Sequence, residues 1–176
     1  MNTKLLSISL LLLGLTGCAP DTGTAKKEEV SAQPQDVTAE FRPLADKIVA
    51  AWSTLDVSKA APYYAKDPDL AFFDTAPLKY KGWQEYADGF SKAAAGWKSM
   101  TIAINPDFRA TREGNLVWAT CTAHFEMTPK KGNVMSMDGR VTEIWEKRGD
   151  IWLSVHEHVS VPTPETLAPS PKAKKK

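Results

Sequence analysis

Histidine and cysteine are scarce in this chain, with three and two copies among 176 residues. A zinc site draws three or four ligands from Cys, His, Asp and Glu, and no dense cluster or spaced ligand motif supplies them. No metal and no cofactor are therefore expected. Long apolar runs are also missing. The longest, Leu5 to Leu13, is broken by Ser7 and Ser9, well short of the roughly 20 residues that a spanning helix needs. No basic stripe with interleaved aromatics is present, which argues against nucleic acid as a partner. Between Ala19 and Val161 there are 17 basic and 20 acidic residues. The formal charge of +1 thus reflects Lys4 and a lysine-rich end rather than the body of the chain. No internal repeat is visible.

Lys4 followed by a short apolar run has the form of a secretory signal. The run ends in Leu15-Thr16-Gly17-Cys18, which resembles the lipobox of bacterial lipoproteins. That resemblance implies a signal peptide over 1–17 and a lipidated Cys18, anchored by several acyl chains together. Ala19 stands where an aspartate would favour the inner membrane, so the periplasmic face of the outer membrane is expected. Cys121 is then left without a partner. In an oxidising compartment a lone thiol is best buried, and strand alternation puts Cys121 on one face with Ala119, Ala123 and Phe125.

Composition divides the rest. Residues 18–35 are polar, with proline and glycine, and read as a tether. Residues 162–176, "PTPETLAPSPKAKKK" from Pro162, carry too much proline for helix or strand and read as a disordered tail. Between them, 36–161 has the length of one domain. Phe41, Leu44, Ile48, Trp52 and Leu55 recur at helical spacing. Asp56 is placed to cap a second, short helix, and "DLAFF" reads as a strand. Trp83, Tyr86, Phe90 and Ala94 line a third helix that Gly96 would end. Strand runs follow at 98–112, 116–128, 134–147 and 151–161, separated by "REGN", "PKKGN" and "KRGD", all turn chemistry.

Helices first and then long antiparallel strands predict an α+β domain, ordered α-α-β-α-β-β-β-β. This order, with "KYKGWQEYADGF" and "GRVTEIWEKRGDIWLSVHEHVS", resembles the SnoaL-like branch of the nuclear-transport-factor-2-like superfamily. In that branch a glycine such as Gly82 opens the third helix. The penultimate strand carries an arginine and a threonine, as with Arg140 and Thr142. The last strand has a tryptophan, then histidines and a serine, as with Trp152, His156, His158 and Ser160. The resemblance implies a cone-shaped curved sheet around the N-terminal helices, a cystatin-like roll, with an internal cavity.

Alternation puts His156 and His158 on one face of the last strand and Glu157 on the other. The resemblance implies that the histidine face, with Arg140 and Thr142, points into the cavity. Trp52, Tyr64, Phe72, Asp74 and Trp118 complete the expected lining, suited to a small amphipathic or apolar ligand. Relatives include isomerases, dehydratases and cyclases that use a buried carboxylate or histidine, which makes Asp74, His156 and His158 the candidates for acid/base chemistry. Binding without chemistry and a pure protein-interaction role both stay open. For the last, Val141, Glu143, Trp145, Val155, Glu157 and Val159 would form an exposed apolar sheet face, through which either a homodimer or docking onto a larger envelope partner is expected.

Overall fold

The computed structural model describes residues 33–163. The expected signal peptide, Cys18, most of the tether and nearly all of the tail lie outside the described residues. The elements are β1 (Gln35–Asp36), α1 (Thr38–Ser53), α2 (Val57–Ala60), a 3-10 turn (Ala61–Tyr63), β2 (Ala71–Phe73), β3 (Tyr80–Lys81) and α3 (Gly82–Ala94), followed by β4 (Trp97–Ile104), β5 (Arg109–Glu113), β6 (Leu116–Pro129), β7 (Met135–Arg148) and β8 (Ile151–Ser160).

The expected apolar stripe of α1 faces the sheet: Phe41, Ile48 and Trp52 are buried, and Leu44 and Leu55 are partly so. Phe41 lies between Trp145 and Trp152, with ring centroids 5.5 and 5.0 Å away. Burying such a side chain stabilises the fold by roughly 1.5–3 kcal/mol. Asp56 caps α2 as its sequence suggests, accepting from the Ser58 N–H at 2.9 Å. Gly82 starts α3 at φ +68, and its N–H donates to the Leu70 carbonyl at 2.6 Å. A Cβ there would meet Pro68 Cα at 3.3 Å, so both conformation and space call for glycine.

The strands form one curved sheet ordered β1-β5-β6-β7-β8-β2-β3, with β4 also on β6. Its pairs are antiparallel except β2, which runs parallel to β8. The run expected over 98–112 is two strands. β4 pairs with the far half of β6 and β5 with the near half. The break falls at Asn105-Pro106-Asp107, where proline has no N–H to give a ladder. The break is pinned by Thr122, whose backbone N–H donates to both Asp107 carboxylate oxygens at 3.0 and 3.1 Å. The Asn105 N–H in turn donates to the Thr122 carbonyl at 3.0 Å.

One irregularity decides which side chains face inward. On β7–β8, Ile144 pairs with His156 but Trp145 pairs with Ser154. Val155 is an extra residue, a β-bulge, and it shifts the alternation of β8 by one. Trp152 and Ser154 face the helices before the bulge; Glu157 and Val159 face them after it. The inward assignment of His156 and His158 is corrected accordingly. They do share a face with Thr142 and Arg140, their cross-strand neighbours through Thr142↔His158 and Arg140↔Ser160. That face is the outer one.

Candidate functional site

Between the concave sheet face and helices α1 and α3 lies a cavity of about 380 Å³, within the usual range for small-molecule sites. Its walls are largely apolar: Ile48 and Trp52 from α1, Phe90 from α3, and Ala119, Val141 and Trp145 from the sheet. Three carboxyl groups interrupt them, Asp74, Glu143 and Glu157.

Glu157 is buried and collects two phenols. The Tyr64 hydroxyl donates to Oε2 at 2.5 Å, and the Tyr86 hydroxyl donates to Oε1. Trp52 Nε1 donates to the Tyr64 oxygen at 2.8 Å, so the chain of donors runs from α1 through Tyr64 to the carboxyl. Burial, and then the charge of Glu157, push both phenols well above their ordinary pKa, so they remain donors. Phe72 stacks on Tyr86 at 5.2 Å and holds it in place.

Glu143 pairs directly with Glu157 across β7–β8. Burial, and next the neighbouring Glu157 carboxylate, raise its pKa well above the ordinary 4.5. Glu143 is thus held in its protonated form beside the Glu157 carboxyl, which accepts from both phenols. Glu143 Oε1 and Trp145 Nε1 have no hydrogen-bond partner among the described residues, although both atoms are buried and their residues belong to the cavity wall. An orphaned buried polar atom costs about 1–3 kcal/mol, and these two are an acceptor and a donor belonging to residues of the cavity wall. At its rim, burial raises the pKa of Asp74, with a contribution from Glu157, against the lowering effect of the Thr75 N–H at 2.6 Å. Cys121 is also a wall residue; burial pushes its thiol up to about 11, which keeps it protonated and a poor nucleophile.

Of the residues named from sequence, Trp52 and Asp74 line the cavity, and Tyr64 and Phe72 stand behind it in the Glu157 network. Trp118, Arg140, Thr142, His156 and His158 do not join them. Trp118 is 38% exposed on the outer face, and Arg140 and His158 are also exposed on that face. The His156 ring bonds the Ala71 carbonyl through Nδ1 at 2.8 Å and meets Phe73 edge-on, a local strand contact. The apolar face expected to be exposed is largely the cavity wall: Val141, Glu143, Trp145, Glu157 and Val159 point inward. Glu143, Glu157, Tyr86 and Trp145 are the residues that sequence reasoning missed at this site. The signal for β7 was present, because Val141 and Trp145 flank Glu143 at period two while the other register offers Arg140 and Thr142. The signal for Glu157 was not, because no residue type announces the bulge at Val155.

These features define an α+β roll enclosing an apolar, acid-bearing cavity. The sequence pattern of the SnoaL-like domain matches residues 42–164, and the chain belongs to that family. Among solved structures it is similar to a nuclear transport factor 2 (NTF2-like) superfamily protein from Salmonella enterica serovar Typhimurium, at TM-score 0.68 and 18% identity over 76% of this chain and 96% of that one. A candidate aromatic ring hydroxylase from Novosphingobium aromaticivorans superposes at TM-score 0.64 and 14% identity, over 72% and 90%. A candidate dehydratase of the NTF2-like family from Streptomyces avermitilis does so at 0.63 and 12%, over 72% and 96%. At these identities the likeness speaks for the fold. No curated protein matches the chain.

Proposed function

We propose that this is a lipid-anchored envelope protein whose domain binds a small, mainly apolar molecule with at least one hydroxyl or equivalent polar group. The observation that carries the ligand reading is the pair of orphaned atoms, Glu143 Oε1 and Trp145 Nε1, in an otherwise apolar wall. A ligand that donates to the first and accepts from the second would satisfy both. Its apolar body would lie against Ile48, Phe90 and Val141. The anchor rests on "LTGC" and the location on Ala19. Mass spectrometry of small molecules released from natively purified full-length protein tests the first part. Wild type should release a hydroxylated apolar compound that Trp145→Phe and Glu143→Leu, which remove the donor and the acceptor, retain less well. Equal retention by all three, or release of nothing, counts against it. For the anchor, Cys18→Ser should leave an unprocessed precursor and abolish labelling by a fatty-acid analogue. Normal cleavage without label in the wild type would make the protein simply secreted.

A second reading, acid/base catalysis on the bound molecule, is favoured by the pairing of Glu143, whose pKa is raised, with Glu157 and by Asp74 at the same cavity. The neutral acid can give a proton while the second carboxylate takes one. Similar structures bear the names of a dehydratase and a hydroxylase. Deuterium exchange into the released compound, lost in Glu157→Gln, is the expected outcome. Exchange that persists in that variant excludes the pair from the chemistry.

A further inference from the structure

Five methionines occur in the chain, and all four that follow Met1 line this one cavity: Met100, Met127, Met135 and Met137. They are neighbours by register. Met100 on β4 pairs directly with Met127 on β6, and Met127 pairs directly with Met135 on β7. Directly paired residues point to the same face with Cβ atoms about 4.5–5.5 Å apart. Three methionine side chains therefore start from one row across three adjacent strands, and Met137 is the next inward residue on β7. On a concave face, side-chain tips lie closer together than their backbones do. The row runs from the interior, where Met100 is 7% exposed, to the rim, where Met135 is 41% exposed, which gives an access route. It lies eight residues along β6 from Ala119, the partner of Glu143, roughly 27 Å along the strand. The Phe125 ring stands on the β7 side between these levels, packed over Gly139, where a Cβ would come within 2.8 Å of it.

We propose that Met100, Met127 and Met135, with Met137 beside them, form a site for a soft monovalent cation, Cu⁺ or Ag⁺. Thioether sulfur is a soft ligand that selects Cu(I) over zinc or the hard divalent ions. Methionine has three rotatable bonds, enough for adjacent side chains to turn their sulfurs toward one ion. Counting only Cys, His, Asp and Glu overlooks such a set. Binding exchanges metal-bound water for neutral sulfur, with no proton released and no redox step. Affinity should accordingly stay flat with pH across the range where a histidine or thiolate site would vary.

The test uses full-length Cys18→Ser/Cys121→Ser protein, so that no thiol can take the metal. Ag⁺ is added to methyl-¹³C-methionine-labelled protein and followed by NMR. Cu⁺ is titrated anaerobically against a chromogenic chelator. The expected result is one equivalent bound, with the methionine methyl signals of the row shifting together, equal affinity at pH 6 and pH 8, and no competition from Zn²⁺. Replacing all four residues by leucine should abolish binding while the protein still unfolds cooperatively. Met127→Leu alone should weaken binding most among single changes, because it sits between the other two. The proposal is overturned if the methyl signals do not move, if the four-leucine variant binds equally well, or if binding is lost with the cysteines.

Discussion

Replacing Glu143 by glutamine should change how the stability of this domain depends on pH, and the sign follows from the cavity. In the unfolded chain Glu143 ionises near its ordinary value of 4.5; in the folded chain burial, and then the Glu157 carboxylate, hold its pKa well above that. Below that ordinary value both states carry the proton and the residue contributes no pH dependence. Above it the unfolded state releases the proton while the folded pair keeps it, so stability falls as pH rises. The slope is about 1.4 kcal/mol per pH unit until the folded pair also ionises. Glutamine is isosteric and neutral in both states, so the variant lacks this slope. Groups that do not interact with Glu143 act alike in both proteins and cancel in the difference. For a domain of this size 1 kcal/mol moves Tm by roughly 4 °C, so the difference between the two Tm values should change by about 5 °C per pH unit in that window, the variant gaining on the wild type as pH rises. Thermal and urea unfolding of wild type and Glu143→Gln at half-unit steps from pH 4 to 8 measures this. Parallel stability curves would refute the reasoning, because they would mean that folding does not hold the proton on Glu143.

Three further outcomes follow from the same geometry. Tyr86→Phe removes one of two phenol donors to the buried Glu157 carboxyl and should lower unfolding free energy in urea by about 1.5–3 kcal/mol; no change would mean that this hydrogen bond carries no net energy. Gly82→Ala forces a side chain into φ +68 against Pro68 and should cost about 1–2 kcal/mol, read as a fall in Tm. Arg140→Ala and His158→Ala act on the exposed outer face and should shift stability by no more than about 0.5 kcal/mol while leaving ligand retention untouched; loss of the ligand in either would return these residues to the cavity.

Much of the architecture was legible because it is written in local periodicity. The α1 stripe from Phe41 to Trp52, the Asp56 cap, the Gly82 start of α3 and the turns between the long strands each depend on neighbours a few residues away. The residue types of β6 and β7 also contained the inward set, Val117 to Met127 and Met135 to Trp145, as alternating apolar positions. What sequence could not supply was the pairing between distant strands. Pro106 marks a break, but only the ladders show that β4 and β5 divide β6 between them. The bulge at Val155 arises where β8 meets β7, and one inserted residue exchanges the two faces of a strand. It sends His156 and His158 outward and brings Glu157 opposite Glu143. The candidate site, a protonated glutamate facing a second glutamate from another strand, exists only in the folded chain, because the desolvation that raises the pKa of Glu143 and the charge that faces it are both products of tertiary packing.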